Sequence, residues 1–179
     1  MLRRALDALY LAGGVAGAAA LAAIGAVIAA QVVARQAGGV VQGADDLTAF
    51  AVAASAALPL AYAFRHGAHI RVDLVLGRLR GGARTAMEVV SLLLALGVCG
   101  MFAWSMADLA ADSLAFDEVA QGTVPWKLWV PQAMVAAGVA LFAVSLLDDL
   151  LAVLAGGVPS YRRAAEAAGT ALDRAGGEV

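Results

Sequence analysis

The chain has 179 residues, 63% of them hydrophobic, and its mean hydropathy is +0.84. Soluble domains are usually about 45–50% apolar, so this composition excludes an ordinary soluble protein. The formal net charge is only −2, which gives no electrostatic reason to expect a nucleic-acid partner. We therefore expect the lipid bilayer to be the solvent of this chain, with no room for a separate soluble domain.

Four long stretches contain no Asp, Glu, Lys or Arg, and each is long enough to cross a membrane. A helix needs about 20 apolar residues to span the hydrocarbon core, with roughly 17–25 tolerated. The sequence therefore predicts an all-α integral membrane protein with four transmembrane helices. The uncharged stretches are residues 8–34, 47–64, 89–107 and 128–147. The predicted helices are about 6–34, 46–64, 85–109 and 126–154, in one membrane domain over 1–155, followed by a cytoplasmic tail over 156–179.

The first apolar run has one alternative interpretation, a cleaved signal peptide. Arg3 and Arg4 precede it, as in the charged region of such a peptide. However, the apolar core of a signal peptide is about 7–15 residues long, whereas this run has 27. We expect it to be retained as a membrane helix.

The basic residues divide the connecting segments into two classes. Ten of the twelve lie before the first stretch, between the second and third, or after the fourth. The other two loops hold one each, Arg35 and Lys127, beside several carboxylates. Cytoplasmic loops of membrane proteins carry an excess of Lys and Arg. The pattern predicts a multi-pass membrane protein with both termini in the cytoplasm.

Three features of the first two helices predict local structure: a pair of glycines, an acidic pair and a proline. Gly13 and Gly17 are four residues apart, which lets helix backbones approach closely in lipid. Asp45 and Asp46 open the second helix, where they either cap its first amides or contact a partner. Pro59 lies inside that helix and predicts a kink. A moving hinge is the alternative.

The middle loop contains an apolar pattern of helical period. Val72, Val75, Leu76 and Leu79 have i, i+3, i+4, i+7 spacing, which places them on one face of a helix. This predicts a short interfacial amphipathic helix at about 72–80, between the second and third membrane helices. The predicted membrane-interface anchors are Arg71, Arg78 and Arg80.

The ends of the last two helices carry further polar groups. Trp104, Asp108 and Asp112 are four residues apart and share one face of the third helix. We expect the two carboxylates to be solvated at the membrane edge, with docking of a partner as the alternative. Asp148 and Asp149 close the fourth helix and are expected near the membrane surface, answering the arginines of the middle loop.

The sequence offers little chemistry. His66 and His69 lie in one turn, whereas a haem held by two histidines in a bundle needs them on facing helices. The only cysteine, Cys99, is expected to act as a small apolar residue. No phosphate-binding loop, nucleotide-binding glycine pattern, nucleophile elbow or zinc spacing is present. We predict no catalytic, substrate-binding or metal-ligating residue, no cofactor and no enzyme activity. A haem- or quinone-binding anchor of a respiratory enzyme and a self-assembling channel remain as alternatives.

Residues 34–75 combine an arginine at the exit of helix 1, an acidic pair that opens helix 2 and a basic turn with the pattern G-x-H-I-x-V-D. This combination resembles the small membrane (Q) subunit of TRAP (tripartite ATP-independent periplasmic) transporters. A Trp near the end of helix 3 and a Pro-Trp pattern at the start of helix 4 are similar too. One departure is Gln132-Ala133, where the family often has Gly. The matching residues are Arg35, Asp45, Asp46, Gly67, His69, Ile70, Val72, Asp73, Trp104, Pro125, Trp126 and Pro131.

The resemblance implies a four-helix accessory subunit that braces a much larger membrane subunit. That larger subunit would hold the sodium and substrate sites, and a soluble periplasmic binding protein would deliver an organic acid such as a dicarboxylate, by symport and without ATP. Under this hypothesis the matching residues, apart from Ile70 and Val72, are candidates for subunit contact. Substrate selectivity would reside in other chains.

Overall fold

The structure is a computed structural model, and it describes residues 2–67, 82–164 and 170. The predicted interfacial helix at about 72–80 lies outside the described residues, together with its three arginine anchors. Helices dominate the described part, which has no β-strand and a single isolated β-bridge. The main helices are α1 (Leu2–Gln36), α2 (Ala44–Ala57), α3 (Leu60–Arg65), α4 (Gly82–Ala115) and α5 (Trp129–Leu154).

Four helical segments are long and apolar enough to cross a membrane, which confirms the predicted fold class. Helices α2 and α3 together make one of these segments, because only a two-residue turn separates them. The segments are Arg4–Gln36, Ala44–Arg65, Gly82–Ala115 and Trp129–Leu154.

Several helix ends differ from the sequence-based boundaries, and two of them flank the loop that joins the last two membrane helices. Helix α4 runs on to Ala115 instead of ending near 109. Its Asp108 and Asp112 are exposed, so their carboxylates stay hydrated and do not stop the helix. Helix α5 begins at Trp129 instead of 126, because the preceding residues are held in an extended pairing. Leu128 N–H donates to Glu118 O at 3.2 Å as part of that pairing.

Helix α5 lies at the centre of the packing. It contacts α4 along its length and also contacts α2 and α3, while α1 packs on α2 and α3. The helices therefore follow one another in space in the order α1, α2 with α3, α5, α4. Many large apolar side chains of the two flanking helices, α1 and α4, are exposed, as expected where lipid or a partner covers them.

The break between α2 and α3 is closely packed against its neighbours. Pro59 has no backbone N–H, so the helix is interrupted at Leu58 and Pro59 and resumes at Leu60. Ala63 N–H donates to Pro59 O at 2.8 Å, which starts α3. The kink predicted at Pro59 falls at this interruption of the helix. The Ser55 hydroxyl donates to Val52 O at 2.9 Å.

Three glycines, which we call the glycine socket, surround this break: Gly13 and Gly17 of α1 and Gly138 of α5. A Cβ at Gly13 would lie 2.7 Å from Leu58 O, and one at Gly17 would lie 2.6 Å from Pro59 Cδ. A Cβ at Gly138 would lie 2.5 Å from the carbonyl carbon and oxygen of Ala57. Real Cβ atoms essentially never come closer than 3.0 Å. The close approach predicted for Gly13 and Gly17 is confirmed, and its partner is the broken helix.

An apolar cluster fills one end of the bundle, where α3 and α5 end and α4 begins. Its members come from α3, α4, α5 and the segment after α5, so a part of the chain beyond residue 155 packs against the helices. Phe64 and Phe142 meet edge to face with ring centroids 5.4 Å apart. The buried members are Phe64, Leu92, Leu146, Leu150, Val153 and Tyr161.

Candidate subunit-interaction site

The polar and aromatic residues lie at the two ends of the bundle, which we call the Trp126 end and the Arg65 end. The Trp126 end holds the turn between α1 and α2 and the loop between α4 and α5. The Arg65 end holds the start of α1, the end of α3, the start of α4 and the end of α5. The described central portions of the membrane helices carry no charged side chain, as the uncharged stretches require.

At the Trp126 end, the start of α2 packs directly against the loop that precedes α5. Gly43 precedes α2 with φ of 70°, a left-handed conformation that favours glycine. A Cβ there would lie 2.7 Å from Trp126 Nε1 and 2.8 Å from Val124 Cγ2. Gly43 therefore allows both the left-handed turn and the close contact with Trp126. Through this contact the start of α2 meets the segment before α5, and both regions belong to the family resemblance.

The two aspartates at this end, Asp45 and Asp46, make different contacts. Asp45 accepts a hydrogen bond from Gln31 Nε2 of α1 at 3.0 Å. The Asp46 carboxylate lies against Gly122, where an added Cβ would collide with it. The N-cap of α2 is Gly43, without a side-chain cap hydrogen bond, so the capping prediction is wrong. Both carboxylates instead lie in the first turn, where they complement the positive end of the helix dipole.

We predict that Gly43→Ala destabilises the protein more than Gly38→Ala does. Both glycines have left-handed φ, 70° and 78°, but nothing lies within 4 Å of a Cβ at Gly38. The strain of about 1–2 kcal/mol is common to both, so the difference isolates the contact with Trp126 and Val124. Thermal unfolding in detergent measures it. Equal losses in the two variants would contradict this account of the Trp126 end.

The loop between α4 and α5 is a closed hairpin. Glu118 N–H donates to Ser113 O at 2.9 Å, and the buried Ser113 hydroxyl donates to Glu118 Oε2 at 2.7 Å. Val119 and Lys127 form the antiparallel bridge, and Lys127 also pairs with Asp117. These contacts give the loop a fixed shape, as a docking surface requires.

The remaining matching residues of this half are placed separately. Trp104 is 76% exposed on α4, so it contacts lipid or a partner. Pro131 is buried in the first turn of α5, where a missing N–H costs little. Pro125 is exposed in the hairpin, and Arg35 is exposed in the last turn of α1.

At the Arg65 end, one arginine joins three elements in what we call the Arg65 cluster: Arg65, Asp7, Tyr10 and Asp148. The guanidinium lies 2.8 Å from Asp148 Oδ2 of α5 and 3.0 Å from Asp7 Oδ1 of α1. It also lies over the Tyr10 ring, 5.0 Å from the centroid. The Arg65 side chain is only 15% exposed. The expected pairing of the acidic residues at the end of helix 4 with arginines of the middle loop is found for Asp148, which pairs with Arg65.

A second ionic contact ties α4 to the segment after α5. Glu88, whose side chain is 4% exposed, lies 3.4 Å from Arg84 Nε and 3.9 Å from Arg162 Nη1. A carboxylate that is buried and unpaired is strongly unfavourable, so these two guanidinium groups explain why Glu88 is tolerated inside the bundle.

Asp149 holds the segment after α5 in place. Its Oδ1 accepts from the Ser160 backbone N–H at 2.9 Å, and its Oδ2 accepts from the Ser160 hydroxyl at 2.7 Å. Asp149 is 1% exposed, and Pro159 is fully buried. Tyr161 follows directly and enters the apolar cluster. Asp149 therefore faces inward, whereas its neighbour Asp148 pairs with Arg65.

We predict that Asp149→Ala releases this segment. The substitution removes both acceptors from Ser160, and its buried N–H is left unpaired at a cost of about 1–3 kcal/mol. Trypsin should then cleave after Arg162 and Arg163 faster than in the unchanged protein, as mass spectrometry of the products shows. Ser160→Ala is the matched control, because it keeps the backbone N–H contact and should give a smaller acceleration. Identical cleavage rates in all three proteins would contradict the role of Asp149.

The basic turn of the resemblance is described only in part. Gly67 follows α3 with φ of 70°, and its N–H donates to Phe64 O at 3.1 Å. This left-handed position after a helix is one that glycine favours. His66 stacks on Tyr62 with ring centroids 4.0 Å apart. His69 and Asp73 lie outside the described residues.

Several residues that hold the bundle together were missed in the sequence. Asp7, Tyr10, Glu88 and Ser160 gave no local pattern, and Gly138 is an isolated glycine in an alanine-rich helix. The one available signal was that Asp7 and Glu88 lie just outside uncharged stretches, on the side that also holds the basic residues. Among the described residues, no three His, Cys, Asp or Glu side chains group as a metal site would require.

Comparison with known proteins assigns the chain. A search of curated proteins gives no match. The family model described as "Tripartite ATP-independent periplasmic transporters, DctQ component" matches residues 24–156. The match covers most of the chain, from the middle of α1 to the turn that ends α5, and it includes the Trp126 end, whereas the start of α1 and the segment after α5 lie outside it. The chain therefore belongs to the DctQ family, the small membrane components of the tripartite ATP-independent periplasmic transporters.

Proposed function

We propose that this protein is the accessory membrane subunit of a sodium-coupled importer, and that it braces a large transport subunit in the inner membrane. A periplasmic solute-binding protein delivers an organic acid, such as a dicarboxylate, to that large subunit. The substrate and sodium sites belong to the large subunit, and this chain has no enzyme activity of its own. The family membership supports the assignment to a transporter, and the packing of the bundle supports the bracing role.

The observation that carries the proposal is the position of the charges. The Arg65 cluster lies at one end of the bundle and the acidic hairpin lies at the other. Intramembrane charged residues mark ion and substrate pathways, and the described central portions of the membrane helices hold no Asp, Glu, Lys, Arg or His. Between the two ends, the glycine socket joins α1, α2 and α5 through close backbone contacts. Such a bundle is suited to resisting movement in a neighbour.

The surface that we assign to the large subunit is the exposed face of α4 together with the hairpin. Trp104 on α4 and Phe116 in the hairpin are each 76% exposed. The exposed large residues of α1 are Leu, Val and Ile instead. Aromatic residues are enriched at protein interfaces and carry much of their binding energy, so α4 is the better candidate.

The orientation follows from the basic residues. Both termini and the Arg65 end face the cytoplasm, and the Trp126 end faces the periplasm, where Asp45, Asp46 and the hairpin are available to the large subunit or the binding protein. We further propose that Arg71, Arg78 and Arg80, which lie outside the described residues, attract lipid headgroups, and each would contribute about 1 kcal/mol near an anionic surface.

Co-purification tests the proposal. The chain and the large membrane subunit of its transporter are co-expressed, and the complex is isolated in mild detergent through a tag on this chain. We expect a stable complex, and we expect Trp104→Ala to lower its yield several-fold, because truncation of an interface tryptophan commonly costs about 2 kcal/mol or more. The matched control is Leu21→Ala, which removes an exposed apolar side chain from α1.

Two results would count against the proposal. Absence of any large membrane partner would contradict the accessory role. A larger loss with Leu21→Ala than with Trp104→Ala would instead move the interface to α1. Reconstitution separates bracing from transport, because the purified chain alone in liposomes should move no organic acid.

A further inference from the structure

An apolar cavity of about 420 Å³, which we call the α2 groove, lies between α1, α2 and α5 toward the Trp126 end. Its lining includes three small side chains, Ala20 of α1 with Ala51 and Ala54 of α2, and two larger ones, Phe50 and Met134. Ala54 is buried, whereas Met134 is exposed, so the groove reaches from the surface of the bundle down to a buried helix face. Its volume lies in the range of small-molecule sites, about 300–1,000 Å³.

The groove extends over the depth of one lipid leaflet. Gln31 of α1 donates to Asp45 at 3.0 Å, which places both residues at the level of the acidic pair. Ala20 lies 11 positions before Gln31, about 16 Å along the helix axis. On α2 the lining runs from Leu47 to Ala54, about 11 Å. Half of the hydrocarbon core is about 15 Å thick, so the groove leads from the headgroup level to the middle of the membrane.

The polar groups of the groove lie at its rim and are already engaged. Trp126 and Lys127, in the segment before α5, line the groove at this end. Lys127 pairs with Asp117, and the Trp126 indole nitrogen lies against Gly43. Tryptophan is typical of the membrane–water interface. The residues that line the groove therefore offer apolar contact without an unpaired charge.

The position of the groove indicates what fills it. Its lining on α1 and α2 falls within uncharged stretches of the membrane spans, where lipid is the solvent. Water finds no hydrogen-bond partner on such a lining, and unfilled space forfeits van der Waals contacts. The face that we assign to the large subunit lies on α4, which contributes nothing to the described lining. A chain of methylene groups that enters from the headgroup level fits both the length and the apolar character of the groove.

We propose that the α2 groove binds one acyl chain of a phospholipid from the leaflet at the Trp126 end. The headgroup of that lipid lies at the level of Trp126 and the acidic pair, and the chain follows α2 toward the break at Pro59. Moving a chain from the bilayer into the groove brings no hydrophobic gain, so close packing against the small side chains holds it. The site therefore selects for an acyl chain and is indifferent to the headgroup.

Native mass spectrometry of the delipidated full chain in detergent tests the proposal with three probes. These are phosphatidylethanolamine, phosphatidylglycerol with the same acyl chains, and glycerophosphoethanolamine, which has the headgroup and no chain. We expect one molecule of either phospholipid to bind per chain with similar affinity, and no binding of the third probe. Ala51→Leu fills the groove from α2 and should weaken binding about tenfold, the effect of forcing an extra group into a packed contact. The matched control is Ala56→Leu, the same substitution at an exposed position of α2 outside the lining, which should leave binding unchanged.

Tryptophan fluorescence tests the same site without a substitution in its floor. In a variant that keeps Trp126 alone, with Trp104→Phe and Trp129→Phe, a phospholipid brominated on its acyl chains should quench the emission. We expect this quenching to saturate at one lipid per chain. A variant that keeps Trp104 alone reports ordinary lipid contact on α4, and its quenching should continue to rise as lipid is added.

Equal binding in Ala51→Leu and Ala56→Leu would overturn the site, as would quenching of Trp126 that does not saturate. Tight binding of glycerophosphoethanolamine, or a strong preference for one headgroup, would overturn recognition through the acyl chain. Loss of the bound lipid when the large subunit is co-purified would overturn the lipid as occupant and assign the groove to a side chain of that subunit. The measurements on the chain alone are independent of the proposed role in transport.

Discussion

Replacement of Gly138 by alanine is expected to destabilise the protein by about 1–3 kcal/mol, the usual cost of forcing an extra group into a packed core. The added Cβ would lie 2.5 Å from the backbone of Ala57 and 2.8 Å from Leu58 N. Neither neighbour is a flexible side chain, so relief requires the whole of α2 to move away from α5. That movement would also loosen the contacts of Gly13 and Gly17, which hold the other side of the same break.

The matched control for this substitution is Gly100→Ala on α4, where nothing lies within 4 Å of an added Cβ. Alanine is favoured over glycine in a helix by up to about 1 kcal/mol, so the control should be neutral or slightly stabilised. Thermal unfolding of the two variants in the same detergent measures the difference. Equal unfolding temperatures for Gly138→Ala and Gly100→Ala would show that the glycine socket does not hold the bundle together.

Replacement of Arg65 by glutamine is expected to cost about 1.5–3 kcal/mol, the range for hydrogen bonds to charged groups. The variant leaves Asp148, whose side chain is 25% exposed, without its cation, and it separates α1 from α5 at this end. Asp7→Asn should cost less, about 0.2–1 kcal/mol, because Asp7 is 56% exposed and water screens its pairing. Unfolding by heat in detergent measures each loss.

A double-mutant cycle between Arg65 and Asp148 separates the pairing from other effects. Removing both charges, with Arg65→Gln and Asp148→Asn, leaves no unpaired carboxylate at position 148, and only the more exposed Asp7 then lacks its cation. The double variant should therefore be more stable than the sum of the single losses implies. Arg4→Gln is the control, because it removes an exposed arginine near the same end that has no ion pair within the described residues. A loss in Arg65→Gln no larger than in Arg4→Gln would contradict the bridging role.

The parts of the fold that the sequence predicted well depend on composition or on local pattern. Long runs without charge gave the four spans, since the cost of burying charge in lipid acts on every residue of a span. Pro59 gave the break, because its missing N–H has a local effect. Gly13 and Gly17 were recognisable because they are repeated with helical spacing, whereas Gly138 is alone in its helix and was missed.

The parts that the sequence did not predict depend on the relative positions of separate helices. Arg65 was counted only as a basic loop residue, although it lies in the last turn of α3 and reaches both α1 and α5. The partners Asp7 and Asp148 are 58 and 83 positions away in the chain, so no local pattern connects them. The burial of Asp149 was not predicted for the same reason. Its partner Ser160 lies beyond a glycine turn that redirects the chain.

The length of α4 has a consequence for the shape of the protein above the bilayer. Its 34 residues make a rod about 51 Å long, whereas the bilayer including headgroups is about 40–45 Å thick. The uncharged part, 89–107, is about 28 Å long and matches the hydrocarbon core. The two turns from Asp108 to Ala115 therefore extend beyond the lipid and hold the hairpin in the aqueous phase. At that height the hairpin is accessible to a water-soluble protein.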